Sequence, residues 1–240
     1  MEKITSKDNK RIKRAYALKG KPSDGLFLVE GFHLVEMAFA HGCLKEAFAL
    51  KPIDYLDELQ SIVTEDIIKK LSTSLSPEGV VGVAKEKEPA EISSDRVLLL
   101  DRIQDPGNMG TLCRTALSFG FRDVIATPGS CSFFNPKAIQ SSQGAIFDLN
   151  LHRMDGAAAV RLLKELGYRI VFTALDSSTP AEGFAFPKRI CLGLGNEGQG
   201  MGDSLLSLSD DRLRISMSGI DSLNVGVAGG ILMHMASCQK

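Results

Sequence analysis

The stretch that decides the fold is RLRISMSGIDSLNVGVAGGILMHMASCQK, residues 212–240. Arg212 to Met217 alternates in polarity like a short strand. Ser216 to Ser222 is a polar turn, and from Leu223 to Ala236 almost every residue is small or apolar. At 100° per residue, Val225, Val227, Ile231, Leu232 and Met235 point all round a helix. A helix apolar on every side is normally buried on every side. Yet the turn that opens it carries Asp221, Ser222 and Asn224. Polar groups beside a buried segment must find partners or perform chemistry. At fourteen residues the apolar run is too short to span a bilayer. Its Gly226-x-x-x-Gly230 spacing therefore reads as close packing of a buried helix, not as a membrane contact.

Upstream of this stretch, apolar runs of strand length recur. They are Arg96 to Asp101, Asp123 to Ala126, Phe147 to Leu151, Arg169 to Thr173, Ile190 to Leu194 and Leu213 to Ile215. RVLLLD at 96–101 is apolar without alternation, which suits a parallel strand covered on both faces. Helical patterns fall between the runs, notably at Asn108 to Phe119 and Gly156 to Leu166, with a short one near Ser204 to Leu208. Strand–helix alternation predicts a mainly parallel α/β domain over 96–240.

Residues 1–88 read as a second, smaller α/β unit. Strands are expected at Leu26 to Glu30, Glu46 to Leu50 and Val80 to Ala84. Helices are expected at His33 to Ala40, Tyr55 to Leu59 and Asp66 to Leu71, the last capped by Thr64. The first 22 residues hold eight Lys or Arg against Glu2 and Asp8, with Ser6 as N-cap of a helix running to about Leu18. Such a helix is either a solvated charged face or a contact for a phosphate backbone. Residues 89–95, PAEISSD, are polar and read as the linker.

Bulk properties narrow the class. A net charge of −1 over 240 residues argues against a polybasic binder as a whole, while allowing the local basic patch. The first residues hold no apolar run of signal-peptide type. Five dispersed cysteines without a C-x-x-C pair suit reduced thiols in the cytoplasm. Four histidines at positions 33, 41, 152 and 234 lack ligand spacing, so no metal is expected.

Three constellations carry the chemistry. In LLLDRIQDPGNMGTLCRTALSFG, Asp105-Pro106-Gly107 is turn chemistry, and Asn108 is placed to cap the helix. Met109, Leu112, Cys113, Ala116 and Leu117 form one buried stripe. Arg114 lies about 140° round from Met109, with Gly110 and Thr111, and is expected to face the carboxyl end of the strand, where open α/β sheets bind ligands. In SCSFFNPKAIQSSQGAIFDLNL, Asn135-Pro136 opens a short helix and Lys137 is a candidate phosphate contact. In ICLGLGNEGQGM, residues Gly193 to Gly198 form a G-x-G-x-x-G after a strand. Glu197 inside the loop would repel a pyrophosphate, the strand comes late in the domain, and no βαβ unit follows. A dinucleotide site is rejected on those grounds. The glycines instead offer bare backbone to a heterocycle, with Glu197 as a carboxylate at the rim.

Taken in order, LLLDRIQDPGNMGTLCRTALSFGF, LGLGNEGQGM and RISMSGIDSLNVGVAGGIL resemble the three motifs of the SpoU/TrmH family, ribose 2′-O-methyltransferases of the SPOUT superfamily that act on RNA. SKDNKRIKRAYAL followed by FLVEGFHLVEMA is similar to the small N-terminal substrate-binding domain of the ribosomal-RNA members. The resemblance implies an α/β sheet with a C-terminal trefoil knot, S-adenosylmethionine as methyl donor, a homodimer, and RNA bound by the basic N-terminal region and the catalytic cleft. By motif position it implies cofactor contacts at Gly195, Ile215 and Leu223, and an active site of Asn108, Arg114, Glu197, Ser222 and Asn224. Because a guanidinium stays charged in proteins, Arg114 fits a clamp on phosphate and hydroxyl better than a base, though the base role stays open. Three positions depart from the pattern. Ser216 stands where Pro is common, Gly226 where Ser is common, and Gln140 where Arg is frequent. The alternatives are tRNA as substrate, or a non-catalytic RNA-binding protein on the same scaffold.

Overall fold

The computed structural model describes residues 2–176, 178–219 and 222–239, so Asp221 of the C-terminal turn lies outside the described residues. Two sheets organise them. The smaller is built from β1 (Glu2–Ile4), β2 (Leu26–Glu30), β3 (Leu44–Ala49), β4 (Gln60–Val63) and β5 (Val80–Lys85), in the order β1-β4-β3-β5-β2. Its helices are α1 (Lys10–Ala17), α2 (Phe32–Ala40) and α3 (Glu65–Leu71). Strands β1 and β3 run parallel to β4, whereas β5 is antiparallel to both β2 and β3.

Local capping chemistry corrects the expected boundaries here. Asn9, not Ser6, caps α1, its side chain accepting from Arg11 N at 2.8 Å. Ser6 instead closes a turn with Asp8 N at 3.1 Å. The residues before it are then free to pair with β4 as β1, a three-residue edge strand whose Glu2 and Lys3 hide it in the sequence. Thr64 sits at the start of α3 without a side-chain cap bond. Asp54–Leu59 is a 3₁₀ segment broken at Asp57, where φ is 41°.

The larger sheet runs β10-β12-β9-β11-β6-β7-β8, with every pairing parallel. Its strands are β6 (Arg96–Leu100), β7 (Asp123–Ala126), β8 (Asn150–Arg153), β9 (Arg169–Thr173), β10 (Thr179–Pro180), β11 (Ile190–Leu194) and β12 (Asp211–Arg214). The helices are α4 (Pro106–Ser118), α5 (Pro136–Ser142), α6 (Gly156–Glu165), α7 (Asp203–Leu206) and α8 (Val225–Cys238). Central β6 explains its unbroken apolar sequence. Val97 and Leu99 pack with Ala159, Val160 and Leu163 of α6, while Leu98 and Leu100 pack with Leu112 of α4 and Leu232 of α8. From β6 the chain steps outward through β7 and β8, then crosses to β9 on the other side. Strand β11 is later laid between β9 and β6. The carboxyl ends of β6 and β11 therefore meet where the strand order reverses, the usual ligand position in such sheets.

The stretch expected as a strand at Phe147 to Leu151 is a 3₁₀ turn over Ala145–Phe147 followed by β8. Phe147 is needed elsewhere. Its ring lies 6.3 Å from that of Phe27, and its carbonyl accepts from Lys87 Nζ at 3.1 Å. Phe27 also packs on Phe134 at 4.5 Å, so one hydrophobic core runs from the small sheet into the large one. His41 Nε2 meets Asp148 Oδ1 at 3.0 Å, and the Gln140 amide donates to the Glu30 carbonyl at 3.2 Å. The polar stretch 89–95 is strapped down as well. Asn150 holds Ala90 from both sides, and the N–H groups of Ser93 and Ser94 donate to Asp123. Burial would raise the Asp123 carboxyl, but the adjacent His152 imidazole and hydrogen bonds from Ser94 and Asn150 hold it well below the usual range.

One expectation about α8 is revised. Val225, Gly226, Gly229, Leu232, Met233 and Ala236 are buried, but Val227 is 52% and Ile231 36% exposed. The helix is buried on one side of this chain, because α4 and β11 cover only that side. Among the described residues, no helix is long and apolar enough to cross a membrane.

Phe27, 1% exposed, should be the costliest truncation at the joint between the sheets. Phe27→Ala should lower the unfolding free energy by about 3–5 kcal/mol. Urea denaturation checks this, and a loss under about 1 kcal/mol would mean that the shared core does not couple the sheets.

Candidate active site

The site forms where β6 hands over to α4. Asp105, not Asn108, is the N-cap of α4. Its Oδ1 accepts from Asn108 N at 2.9 Å, and Pro106 occupies the first helical turn, where a missing N–H costs nothing. Asn108 is thereby freed from capping. Its Nδ2 donates to Glu197 Oε1 at 3.1 Å, and its Oδ1 accepts from Asn224 Nδ2 at 2.9 Å. Asn224 in turn caps α8, its Oδ1 accepting from Gly226 N at 2.9 Å and Val227 N at 3.3 Å. Both amides have their orientation set by these partners, since only one placement of O and N satisfies them.

Glu197 ends the chain as an acceptor of several donors. Besides Asn108 it receives Gln104 N at 3.3 Å and Asp105 N at 3.2 Å. Partial burial would raise its pKa. The bonds from Asn108 and from backbone N–H groups, including those of Asp105 and Gln104, outweigh that and hold the carboxyl below its ordinary value. It is a fixed anion and a weak base. Asp105 is likewise lowered, first by the Lys137 ammonium at 2.9 Å and then by Asn108 N. Lys137 is thus paired within the chain.

Next to this chain lies a cavity of about 520 Å³, a size suited to a small-molecule ligand. Gly195, Ile215, Ser222 and Leu223 line it, together with apolar Leu194 and Val225 and the polar rim of Asn196 and Glu197. Gly195 is required sterically, because a Cβ there would collide with the backbone of Met201. The structure thus joins Asn108, Glu197 and Asn224 by direct hydrogen bonds, and it sets Gly195, Ile215, Ser222 and Leu223 around the cavity. Arg114 belongs to neither group. It is exposed six residues along α4 from Asn108, about 9 Å in helical rise, and has no side-chain partner among the described residues. Also among the described residues, no group of three or more His, Cys, Asp or Glu is placed to hold a metal ion.

Sequence reading missed Asp105 as the helix cap, although Asp before Pro at a helix start is the signal for it. It also missed Asp101, Arg102 and Thr127, which bond to one another beneath the Asn196 to Gly200 turn. Nothing in the local sequence marks that cluster, since its members come from two strand ends.

Comparison with known proteins matches this arrangement to one family. Residues 95–234 match the family model described as the SpoU rRNA Methylase family. The chain is 31% identical to the 23S rRNA (guanosine(2553)-2′-O)-methyltransferase RlmP of Bacillus subtilis (strain 168), over 98% of each chain. Its structure is similar to the AdoMet-bound rRNA methyltransferase from Sinorhizobium meliloti, with a TM-score of 0.87 and 26% identity over 98% of this chain and 97% of that one. A TrmH/SpoU tRNA-modifying enzyme from A. aeolicus is similar over only 61% of this chain and 76% of its own, with a TM-score of 0.56 and 25% identity. By its matched motifs and by similarity over its full length, this chain belongs to the SpoU rRNA methylase family.

Proposed function

We propose that this chain methylates a ribose 2′-hydroxyl in ribosomal RNA, using S-adenosylmethionine. The observation that carries the proposal is the Glu197–Asn108–Asn224 chain standing at the rim of the Gly195 cavity. Similarity to RlmP over the whole length, N-terminal sheet included, supports ribosomal over transfer RNA.

The cavity fits such a donor. Bare backbone at Gly195 and the apolar side chains of Ile215 and Leu223 suit a heterocycle held by main-chain groups. S-adenosylmethionine supplies an electrophilic methyl on a sulfonium. The protein must position the ribose hydroxyl and ease its deprotonation. Asn108, Asn224 and Ser222 orient the hydroxyl at the cavity mouth. Glu197 anchors Asn108 through its hydrogen bond, and the hydroxyl proton leaves to solvent water. Arg114, exposed and without a partner among the described residues, receives an RNA phosphate and brings the nucleotide against the cavity. The same reading includes a C-terminal trefoil knot.

Residues 1–88 serve as the RNA-binding unit in this reading, joined by 89–95 to the methyltransferase unit of 96–240. On the first of these, Lys7 pairs with Asp66, Arg11 with Glu2 and Glu46, and Lys13 with Asp8. Lys3, Lys10 and Arg14 have no ion-pair partner among the described residues and remain for phosphates. The exposed Val227 and Ile231 of α8 are the surface a second copy would cover in a homodimer. All five cysteines are free thiols, which suits a cytoplasmic enzyme.

The purified protein should transfer a methyl group from S-adenosylmethionine to ribosomal RNA, read by mapping 2′-O-methyl positions. Arg114→Ala should reduce transfer by about 10²-fold or more, with affinity for S-adenosylhomocysteine unchanged by calorimetry. Loss of that affinity would reassign Arg114 to the cofactor. Replacing Lys3, Lys10 and Arg14 together by Gln should weaken RNA binding and flatten its log–log salt dependence by about 2, three contacts at about 0.7 each. An unchanged slope would remove α1 and β1 from the RNA face. Because the Glu197 pKa is lowered on folding, its carboxylate contributes stability above its unfolded value of about 4.5 and loses it as pH falls through the folded value. Glu197→Gln should therefore lower the urea midpoint at pH 7, with the difference shrinking as pH falls below about 4.5. A difference that persists undiminished at pH 3 would contradict the charge-based account.

A further inference from the structure

Arg102 follows Asp101 at the carboxyl end of β6, and its φ is 55°. This left-handed backbone is uncommon for a residue with a long side chain, and it persists where the surroundings over-determine it. Here they do. Arg102 N donates to Thr127 Oγ1 at 3.1 Å, and its carbonyl accepts from Asn196 Nδ2 at 2.9 Å. The guanidinium then bonds in three directions, with Nε to Asp101 Oδ2 at 3.1 Å, Nη1 to Gln199 Oε1 at 3.3 Å and Nη2 to the Gly200 carbonyl at 3.3 Å. Asp101, 5% exposed, also accepts from Gly202 N at 3.2 Å and from Thr127 Oγ1 at 2.8 Å.

Apart from Thr127, what the Arg102 side chain and carbonyl and the Asp101 carboxylate hold lies in one segment, Asn196 to Gly202. Asn196 N donates to the Gly200 carbonyl at 3.0 Å, Gly200 N returns the bond at 2.9 Å, and Asn196 Oδ1 accepts from the N–H groups of Gly198 and Gln199. The turn holds Glu197, and its other side lines the cavity. It contains Gly198 and Gly200, and its apolar anchor is Met201, buried in the core just beyond it. Glu197 ties it to the start of α4, and Arg102 holds it from beneath.

We propose that Arg102 is a positioning residue for methyl transfer. It holds the Asn196 to Gly200 turn in the conformation that binds the methyl donor and points Glu197 at Asn108. Arginine suits the task because one planar fork reaches a carboxylate, an amide oxygen and a carbonyl at once, whereas a lysine ammonium is a single point. When the fork is removed, the turn spends less time in the competent conformation, and apparent affinity falls by the fraction lost. The ligand half of this inference rests on the methyltransferase reading. The half that concerns the turn does not.

The test uses the full chain as wild type, Arg102→Gly and Arg102→Lys. Glycine adopts φ 55° without penalty, so Arg102→Gly removes the fork while relieving the backbone, and its urea midpoint should stay close to wild type. Hydrogen exchange in the ligand-free protein should accelerate at the amides of Gly198, Gln199 and Gly200. Calorimetry should show the Kd for S-adenosylhomocysteine rising about tenfold, equivalent to about 1.4 kcal/mol, with Arg102→Lys in between. Kinetics should show a raised KM for S-adenosylmethionine and an unchanged KM for RNA. Unchanged exchange at the turn, or a Kd within twofold of wild type, overturns the proposal. If wild type itself binds no S-adenosylhomocysteine while exchange accelerates in Arg102→Gly, the methyltransferase reading falls and the clamp on the turn stands.

Discussion

A single carboxylate at the start of a helix organises the site. Glu197 stands where the unpaired N–H groups ahead of α4 converge, and such a terminus favours a negative charge. It takes two of those donors directly, from Gln104 and Asp105, and a third through the Asn108 side chain. This one anion joins the turn after β11 to the turn after β6. Asn108 then carries the connection to Asn224 and so to the start of α8. Segments far apart in sequence are brought to one point by four side-chain contacts, each satisfied by geometry that leaves no choice of orientation.

The parallel sheet makes this convergence available. β6 and β11 are adjacent and covered on both faces, so their ends cannot drift apart without opening the core on both sides. Gly193 lies so close to the Phe172 ring that no side chain fits, and Gly195 is pressed against the Met201 backbone. These approaches bend the chain sharply beyond β11 and leave a cavity beside the bend. A doubly covered sheet is stiff, and its stiffness is what makes a hydrogen-bonded chain at its edge a defined arrangement.

Much of this was legible in the sequence, for physical reasons that differ by element. The apolar run of β6 and the stripe of Met109, Leu112, Cys113 and Ala116 on α4 are periodic signals, and the buried residues match them. Caps were less legible, since several candidates stand close together. Ser6 and Asn9, or Asp105 and Asn108, differ only in which of them the following turn leaves in an extended conformation. The Phe147 stretch was misread because a ring recruited by Phe27, over a hundred residues away, overrides local strand propensity. Arg102 was invisible, since its left-handed backbone comes from Thr127 and Asn196 and not from its neighbours. The all-round apolar pattern of α8 predicts burial on every side, and the chain meets only half of that expectation.

That half is met by the packing of α8 on α4 through its glycines. Thr111 and Thr115 of α4 face Gly226 and Gly230 of α8, one turn apart on each side, while Leu112 fills the space over Gly229. A Cβ at Gly226 would lie 3.1 Å from the Asn224 Oδ1 and 3.3 Å from Thr111 Cγ2. The serine common at this position would therefore crowd the very amide that caps α8 and reaches Asn108. With glycine, the two helix starts come near enough for the 2.9 Å bond between Asn224 and Asn108 to form without displacing Thr111. The departure at Gly226 is thus part of the packing that sets the site. Gly226 and Gly229 face inward with Leu232 and Met233, while Val227 and Ile231 are left on the outside. Because α8 is apolar all round, the face that packs on α4 leaves an apolar surface on the face turned away from it.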